Sequence, residues 1–249
     1  MFMFTQGFAA RLSGSPTGDW KNAIFLVHNG EMTASEYTPH KDVTIPPHLK
    51  YYFDPVWREG MKEGDDGDDE NVLPVKKNFI QFGGQVISLN ISDHRGSNYS
   101  GGVRQYVKEH MLGKPGYRIT GVREKTYTKD MSESVFCLSP EGWHPWSPRP
   151  YYAVLRGCVP VVISERQELA FEDIVNWDDF AVWVKPKEIA RMDKALRKMK
   201  AREIENRLQA MQKIWKLFWY GDEGLASEAI VYELYRRKYI SKPRRTFIR

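Results

Sequence analysis

The segment Ser147-Pro148-Arg149 combines three residues that suit both the beginning of a helix and the binding of an anion. Serine is a preferred N-cap residue, and proline is tolerated at the first helical position because its missing N–H has no intrahelical partner there. An arginine in the first turn opposes the helix dipole, and a bound phosphate would remove that conflict. The segment therefore predicts a phosphate site or, alternatively, an arginine that pairs with a carboxylate.

A second group of residues joins a strand end to a helix start. Gly83-Gly84 follows a predicted strand over 78–82, and a glycine-rich segment runs to Arg104 inside a helix predicted over 100–110. Such junctions are where α/β folds bind ligands. The spacing matches neither a P-loop nor the G-x-G-x-x-G fingerprint. The segment predicts a ligand-binding loop, with a plain glycine-rich connection as the alternative.

No metal site is predicted from the sequence. Asp66-Gly-Asp68 has the Asp-x-Asp form that holds a metal in some nucleotide-sugar enzymes, but it lies in the acidic run 59–70, where this pattern arises by chance. That run is broken by glycine and lacks apolar anchors, so we expect a solvated loop. The six histidines show no metal-ligand spacing.

The elements that must position these groups alternate between strand and helix. Apolar runs predict strands at 78–82, 135–138, 158–163 and 180–184, and helices are predicted at 100–110, with Ser100 as its cap, and at 147–155. Periodic apolar residues over 187–218 predict one long helix, or two with a break near Lys200. This alternation is typical of a parallel α/β sheet with helices on both faces. Upstream, we expect a strand at 24–27 and an extended segment at 41–47.

Composition narrows the class of protein. The chain has 249 residues, a mean hydropathy of −0.56 and a net charge of +5, which fits one large globular domain or two small ones. Its apolar runs reach about five residues, whereas a membrane span needs about 20. The mild positive charge suits anionic ligands and does not require nucleic acid, so no nucleic-acid partner is predicted.

Two stretches of this chain resemble a known family. They read SVFCLSPEGWHPWSPR over 134–149 and AVLRGCVPVVIS over 153–164, and they resemble the signature of exostosin-family glycosyltransferases. Supporting segments at 41–47, 99–104 and 171–180 follow the family pattern in the same order. The GWxPWSPR form is most similar to that of the plant xylan xylosyltransferase branch.

The resemblance implies a GT-B architecture, in which a Rossmann-like α/β parallel sheet forms the C-terminal half and binds the nucleotide-sugar. On this basis we expect an incomplete N-terminal half over 1–73, a nucleotide-sugar-binding domain over 74–225 and a basic C-terminal tail over 226–249. The implied reaction transfers a sugar from a UDP-sugar to a polysaccharide or glycan acceptor with inversion. It uses no cofactor besides the donor substrate.

The family is also one of Golgi membrane proteins, and complexes with other glycosyltransferases are implied as well. From its short apolar runs we expect no membrane anchor within this chain. An alternative reading is a catalytically inactive exostosin-like binding or partner subunit.

Roles carried over from the family fall on seven residues. Ser147 and Arg149 are expected to hold the diphosphate and to stabilise UDP as it leaves. The residues expected to line the donor cleft are Gly83, Gly84 and Arg104.

The other two are Tyr152 and Gly157. Tyr152 stands where the family usually has an acidic residue that hydrogen-bonds the ribose, and a phenol offers fewer acceptor contacts than a carboxylate. Gly157 is expected to let the chain turn tightly from helix into strand. No residue is assigned as the catalytic base.

The two cysteines, Cys137 and Cys158, exclude a disulfide scaffold and a cysteine-rich zinc site. Cys137 lies near the end of the strand predicted at 135–138, and Cys158 begins the strand predicted at 158–163. These two strands are candidate neighbours in the sheet. One disulfide, as a Golgi lumen would permit, and two buried thiols remain alternatives.

Overall fold

The structure is a computed structural model that describes residues 2–5, 23–28, 30–32, 37–39, 41–48, 55–58, 75–86, 99–122, 124–142 and 144–239. The acidic run, with Asp66 and Asp68, and the last ten residues lie outside the described part. No helix within the described part combines the length and the hydropathy needed to cross a bilayer.

The described chain contains ten strands and six α-helices. The strands are β1 (Phe2–Thr5), β2 (Ile24–Val27), β3 (Gly30–Glu31), β4 (Val43–Thr44), β5 (Asn78–Gly83), β6 (Tyr117–Thr120), β7 (Ser134–Pro140), β8 (Val159–Ile163), β9 (Gln167–Glu168) and β10 (Val182–Val184). The helices are α1 (Val103–Met111), α2 (Tyr127–Ser132), α3 (Arg149–Leu155), α4 (Ile189–Arg197), α5 (Ala201–Ile214) and α6 (Ala226–Tyr239). Short 3₁₀ turns lie at Val56–Arg58, Tyr99–Gly102, Trp177–Asp179, Pro186–Glu188 and Trp215–Phe218.

A five-stranded parallel sheet forms the core, in the order β10-β8-β7-β5-β6. All five residues of β8 are buried, as are six of the seven in β7, because both faces of a parallel sheet are covered. The predicted α/β class with a Rossmann-like parallel sheet is therefore confirmed. The strands predicted at 78–82, 135–138, 158–163 and 180–184 are β5, β7, β8 and β10.

Two elements in and beside this sheet were not predicted from the sequence. They are the edge strand β6 and the helix α2. Strand β6 lies at the edge of the sheet, and only Ile119 in it is buried. A single buried apolar residue gives no clear period, so the sequence pattern did not indicate a strand. Helix α2 has only six residues. Both elements are fixed by their packing against the neighbouring strand β5.

Two helix predictions can be compared directly with the structure. The periodic segment forms two helices, α4 and α5, with the break at Lys198–Lys200. The expected cap of α1 was wrong. Ser100 has a left-handed φ of 57° inside a 3₁₀ turn, and the helix begins at Val103 with Gly102 (φ 81°) as its N-cap.

A second parallel sheet, β1-β2-β4, contains the strand predicted at 24–27 and part of the extended segment at 41–47. It is tied to the larger sheet by the antiparallel pair β3–β9. Residues 226–239, assigned from the sequence to a basic tail, form helix α6. Within α6, Glu233 is buried and Arg237 donates to the backbone carbonyl of Asp42.

A disulfide joins Cys137 in β7 to Cys158, the residue before β8, which decides between the two alternatives for these cysteines. Both residues are fully buried. The bond therefore lies inside the core and links the central strand β7 to the start of its neighbour β8.

Candidate functional site

The site lies at a point where the strand order of the main sheet reverses. Strand β5 pairs with β6 on one side and with β7 on the other. The chain therefore runs from β5 to β6 in one direction and then crosses back past β5 to form β7. In open α/β sheets this arrangement opens a crevice at the carboxyl ends of the strands, and ligands bind there. Gly83 and Gly84 stand at the carboxyl end of β5, and Glu141 follows β7.

Arg104 of α1 bridges the two sides of this crevice. Its side chain is buried, and Nε donates to the carbonyl of Glu141 at 2.8 Å. Nη1 donates to the carbonyl of Gln85 at 3.1 Å and to the hydroxyl of Tyr99. The guanidinium group is thus fixed across the carboxyl ends of β5 and β7 by uncharged acceptors.

Arg149, the first residue of α3, reaches the same strand end. Its Nη2 donates to the carbonyl of Gly83 at 3.0 Å. The hydroxyl of Ser147 accepts from the backbone N–H of Arg149 at 3.3 Å and from its Nη1 at 3.4 Å. The buried Nε of Arg149 has no hydrogen-bond partner in the described part of the chain. Buried donors are normally satisfied, so this orphan N–H is a candidate for ligand contact.

The helix begins one residue later than expected. Helix α3 spans Arg149–Leu155 and has Pro148 as its N-cap residue. The sequence had predicted Pro148 at the first helical position. Helix ends are defined only to within one or two residues, and the hydrogen bond from the Arg149 N–H to the Ser147 hydroxyl is the type of contact expected of a capping serine.

The two arginines form a region of concentrated positive charge. Both guanidinium carbons lie near the ring of Phe82, at 5.9 Å for Arg104 and 5.1 Å for Arg149. Burial, followed by the charge of Arg149, lowers the pKa of Arg104. Among the described residues neither arginine forms an ion pair with a carboxylate, so the alternative of a carboxylate partner for Arg149 finds no support there. Two adjacent cations without an acidic partner suit an anionic ligand.

The two glycines permit this close approach. A Cβ on Gly84 would lie 1.8 Å from Nη2 of Arg149, and a Cβ on Gly83 would lie 2.8 Å from the ring of Tyr127. A side chain at either position would overlap these groups. The lack of a Cβ, and not a positive φ, is thus what these two glycines contribute here.

Tyr152 and Gly157 occupy different ends of α3. Tyr152 lies one turn after Arg149, on the same face of the helix, and its ring packs edge-on against Tyr127 with centroids 6.4 Å apart. Gly157 ends the helix with φ 61°, and Cys158 N–H donates to the carbonyl of Ala153 as in a Schellman motif. Gly157 is therefore at the opposite end of the helix from the arginine pair.

A further polar network next to the arginine pair was missed from the sequence. The Glu141 carboxylate accepts from the Ser164 hydroxyl at 2.6 Å and from Arg166 at 3.3 Å. Arg166 also lies 3.6 Å from Glu31, which lies 3.6 Å from His144. Polar residues directly after a buried strand were the available signal for Glu141 and Ser164, whereas the approach of Glu31 needed the pairing of β3 with β9.

No cluster of three or more His, Cys, Asp or Glu residues that could hold a metal ion occurs within the described ranges. The polar groups gathered at the crevice are mainly cationic or neutral donors. Guanidinium and hydroxyl groups of this kind can donate hydrogen bonds to an anionic ligand.

Comparisons with known proteins agree with the sequence motifs. The chain is 39% identical over 118 residues to a "Probable glucuronosyltransferase" of Oryza sativa subsp. japonica, covering 47% of this chain and 27% of that protein. It is 37% identical over 118 residues to "Probable beta-1,4-xylosyltransferase IRX10" of Arabidopsis thaliana, covering 47% and 28% respectively. The matched segment thus spans less than a third of the length of each of these two relatives.

Among solved structures, the crystal structure of MurG from Acinetobacter baumannii is similar to this chain, with 12% sequence identity and a TM-score of 0.33. The match covers 79% of this chain and 66% of the MurG chain. The family model of the exostosin GT47 domain matches residues 1–199. This match spans most of the chain and includes both sheets and the arginine pair. The chain therefore belongs to the exostosin GT47 family of glycosyltransferases.

Proposed function

We propose that this chain binds a UDP-sugar and transfers its sugar, with inversion, to a polysaccharide or glycan acceptor. The observation that carries the proposal is the pair Arg104 and Arg149 at the switch-point crevice, where neither has a carboxylate partner in the described part of the chain. Family membership supplies the reaction class. The names of the relatives suggest xylosyl or glucuronosyl transfer.

The donor diphosphate would lie between the two arginines. A diphosphate would accept from the orphan Nε of Arg149 and from the Ser147 hydroxyl, and it would offset the repulsion between the two guanidinium groups. The same groups would stabilise the negative charge that develops on UDP as it leaves. The two glycines leave room for Arg149 at the end of β5, and Tyr152, one turn later on α3, is proposed to contact the ribose.

No cofactor is required beyond the donor substrate in this proposal. Golgi residence and complexes with other glycosyltransferases belong to it as family properties. The buried disulfide is consistent with an oxidising lumen.

Titration calorimetry with UDP tests the donor site. Arg149→Ala should weaken UDP binding by about 1.5–3 kcal/mol, the scale of hydrogen bonds to a charged group, which is roughly a 10- to 150-fold rise in Kd. Arg202→Ala, an exposed arginine on α5, is the matched control and should leave Kd unchanged. Absence of binding at millimolar UDP would refute the proposal.

Turnover distinguishes an enzyme from a binding subunit. The wild-type chain would be incubated with UDP-xylose or UDP-glucuronic acid and xylo-oligosaccharides, alone and with a full-length family member. Product formed by the chain alone supports the transferase. UDP binding without product in the chain alone, but with stimulation of the full-length enzyme, would instead support the partner-subunit alternative.

A further inference from the structure

Two uncharged polar groups beside the arginine pair are buried without a hydrogen-bond partner. They are the hydroxyl of Ser100 and the indole N–H of Trp146, and neither has a partner in the described part of the chain. Buried polar side-chain atoms in folded proteins are nearly always paired, so each exception requires an explanation. A ligand that pairs with both groups would explain why they occur together at this place.

Ser100 lies in the 3₁₀ turn that precedes α1. Its backbone N–H donates to the carbonyl of Gly142 at 2.9 Å, which holds the turn against the loop after β7. The residue itself is buried. At the next two positions, Gly101 and Gly102, an added Cβ would meet no atom of the described chain within 4 Å. The turn therefore has an open side directly next to the unpaired hydroxyl.

Trp146 lies in the signature loop, directly before Ser147. Its side chain is half-buried, and its ring faces that of His28 with centroids 6.3 Å apart. His28 is the residue after β2, at the carboxyl end of a strand in the smaller sheet. The indole therefore stands where the loops at the carboxyl ends of the two sheets meet.

Gly142 brings the two groups next to the arginine pair. A Cβ on Gly142 would lie 3.6 Å from Nη2 of Arg104 and 3.8 Å from the carbonyl oxygen of Trp146. The carbonyl of Gly142 also accepts from Ser100. On the other side of Trp146, the Ser147 hydroxyl contacts Arg149. A ligand bound at the two arginines therefore lies within reach of both unpaired groups.

The chemistry of these two groups suits the hydroxyls of a sugar. A serine hydroxyl donates and accepts, and an indole N–H only donates. A sugar hydroxyl can both donate and accept, so it can satisfy either group. The oxygens of a diphosphate only accept, and the charged guanidinium groups close by bind them more strongly than neutral donors do.

We propose that the Ser100 hydroxyl and the Trp146 indole N–H bind hydroxyl groups of the donor sugar, an inference that rests on the proposed function. The diphosphate lies on Arg104 and Arg149, and the sugar extends from it toward the smaller sheet. Rotation of the serine side chain about one bond turns its hydroxyl to the sugar. The half-buried indole borders the crevice. The two contacts then fix the orientation of the sugar ring.

Titration calorimetry tests this by comparing the Kd of UDP with those of UDP-xylose and UDP-glucuronic acid. Trp146→Phe keeps an aromatic ring and removes the N–H. It should raise the Kd of the UDP-sugar that the wild type binds by about 2- to 12-fold, the net effect of one neutral hydrogen bond. The Kd of UDP should stay unchanged, because UDP carries no sugar at this position.

Ser100→Ala is the second variant, and it keeps the Cβ of a residue with φ 57°. It should raise the same Kd by a similar factor, again without an effect on UDP. A merely structural role would change both ligands together. Arg149→Ala provides that pattern for comparison, since loss of a diphosphate contact should weaken UDP and UDP-sugar alike.

Trp219→Phe is the matched control. The Nε1 of Trp219 is also buried without a partner in the described ranges, but this ring lies at Gly221, after the 3₁₀ turn that follows α5. The variant should leave the Kd of UDP and of the UDP-sugar unchanged. Thermal unfolding of all variants checks that each is folded.

The possible results separate the inference from the proposed function. Wild-type affinity for the UDP-sugar in both Trp146→Phe and Ser100→Ala would overturn the inference alone, and a loss in only one variant would remove the other residue from the site. An equal loss for UDP and the UDP-sugar would overturn the assignment to the sugar. Wild-type protein that binds UDP but neither UDP-sugar would do the same. Wild-type protein that binds no UDP would overturn the proposed function itself.

Discussion

The Arg149 side chain lies against the backbone at Gly84, where an added Cβ would overlap its guanidinium group. The absence of a Cβ lets the guanidinium lie against the backbone and donate to the carbonyl of Gly83. The arginine can move away from a new methyl group, because its far end is flexible. Its position in the crevice, more than the stability of the fold, therefore depends on this glycine.

Gly84→Ala is predicted to reduce UDP affinity about as much as Arg149→Ala, with little change in the free energy of unfolding. The added Cβ would lie 1.8 Å from the present position of Nη2 of Arg149, so the guanidinium group would have to move. Calorimetry and urea unfolding measure the two quantities. Gly121→Ala is the control, since a Cβ there meets only Lys108, at 3.8 Å. A variant with wild-type affinity would show that the arginine position is not required.

Lys76 illustrates how burial of a charge changes its titration when no carboxylate among the described residues pairs with it. Its ammonium donates to the carbonyls of Ser132 at 2.8 Å and Gly157 at 2.5 Å, at the C-terminal ends of α2 and α3. Burial, followed by the charge of Arg156, lowers the pKa of Lys76 from 10.5 to about 8. The folded protein therefore releases this proton at lower pH than the unfolded chain.

The sign of the resulting pH dependence follows from this difference. Below pH 8 both states hold the proton, and the cost of burying the charge is fully present. Between pH 8 and 10.5 the unfolded state binds more protons, so the free energy of unfolding should rise with pH. One proton limits the slope to about 1.4 kcal/mol per pH unit.

Lys76→Met should abolish this contribution. In urea unfolding at several pH values, the stability of wild type relative to the variant should increase between pH 8 and 10.5. Lys77 is exposed and pairs with Glu133, so Lys77→Met is the matched control. This variant should keep the rise in the free energy of unfolding between pH 8 and 10.5. Equal pH dependence in wild type and Lys76→Met would contradict the assignment.

At the scale of elements, α3 is held at both ends by contacts with neighbouring strands. Arg149 at its start contacts β5, and the segment after its end leads to Cys158, which is bonded to Cys137 in β7. The bond closes a segment that contains the signature loop, α3 and its Schellman turn. It therefore limits the conformations open to the site in the unfolded chain.

The double replacement of Cys137 and Cys158 by alanine should lower the free energy of unfolding by about 3 kcal/mol, the loop-entropy value for the 21-residue separation. Urea unfolding without reductant measures this. As a covalent check, alkylation of the unfolded, unreduced chain should add no group, and alkylation after reduction should add two. Alkylation of both thiols before reduction would refute the bond.

At the scale of the whole molecule, α6 joins the smaller sheet, next to β4, to the segment that follows β9. Arg237 Nη1 lies 2.5 Å from Asp173 and 3.5 Å from Glu233, and its Nη2 donates to the carbonyl of Asp42 next to β4. The arginine and both carboxylates are almost fully buried. The basic residues at this position thus serve an internal junction between the parts of the chain.

Arg237→Ala is predicted to destabilise the protein by about 3–5 kcal/mol, because it leaves the buried carboxylate of Asp173 without its cation, whereas Glu233 keeps Arg236 at 2.9 Å. Hydrogen exchange should rise in β4 and α6 before it rises in the central strands β7 and β8. Lys238→Ala, its exposed neighbour on the same helix, should change stability by no more than about 0.5 kcal/mol. A loss for Arg237→Ala as small as for the control would contradict the role of this junction.

The sequence by itself determined the elements whose signals are local. The continuous apolar run before Ser164 predicts a buried strand, and Ser147-Pro148-Arg149 predicts the helix start with the arginine beside it. These features depend on neighbours within a few residues, so the pattern identifies them correctly. The signature around them also identified the family.

Only the tertiary structure decided which side chains meet. Arg104 and Arg149 share one crevice because the strand order reverses at β5, and Glu31 reaches His144 because β3 pairs with β9. Strand order and pairing are set by packing between segments that are distant along the chain, which local periodicity does not encode. For the same reason the sequence predicts only a basic tail over 226–249, although the Arg237 side chain is buried against Asp173 and the carbonyl of Asp42.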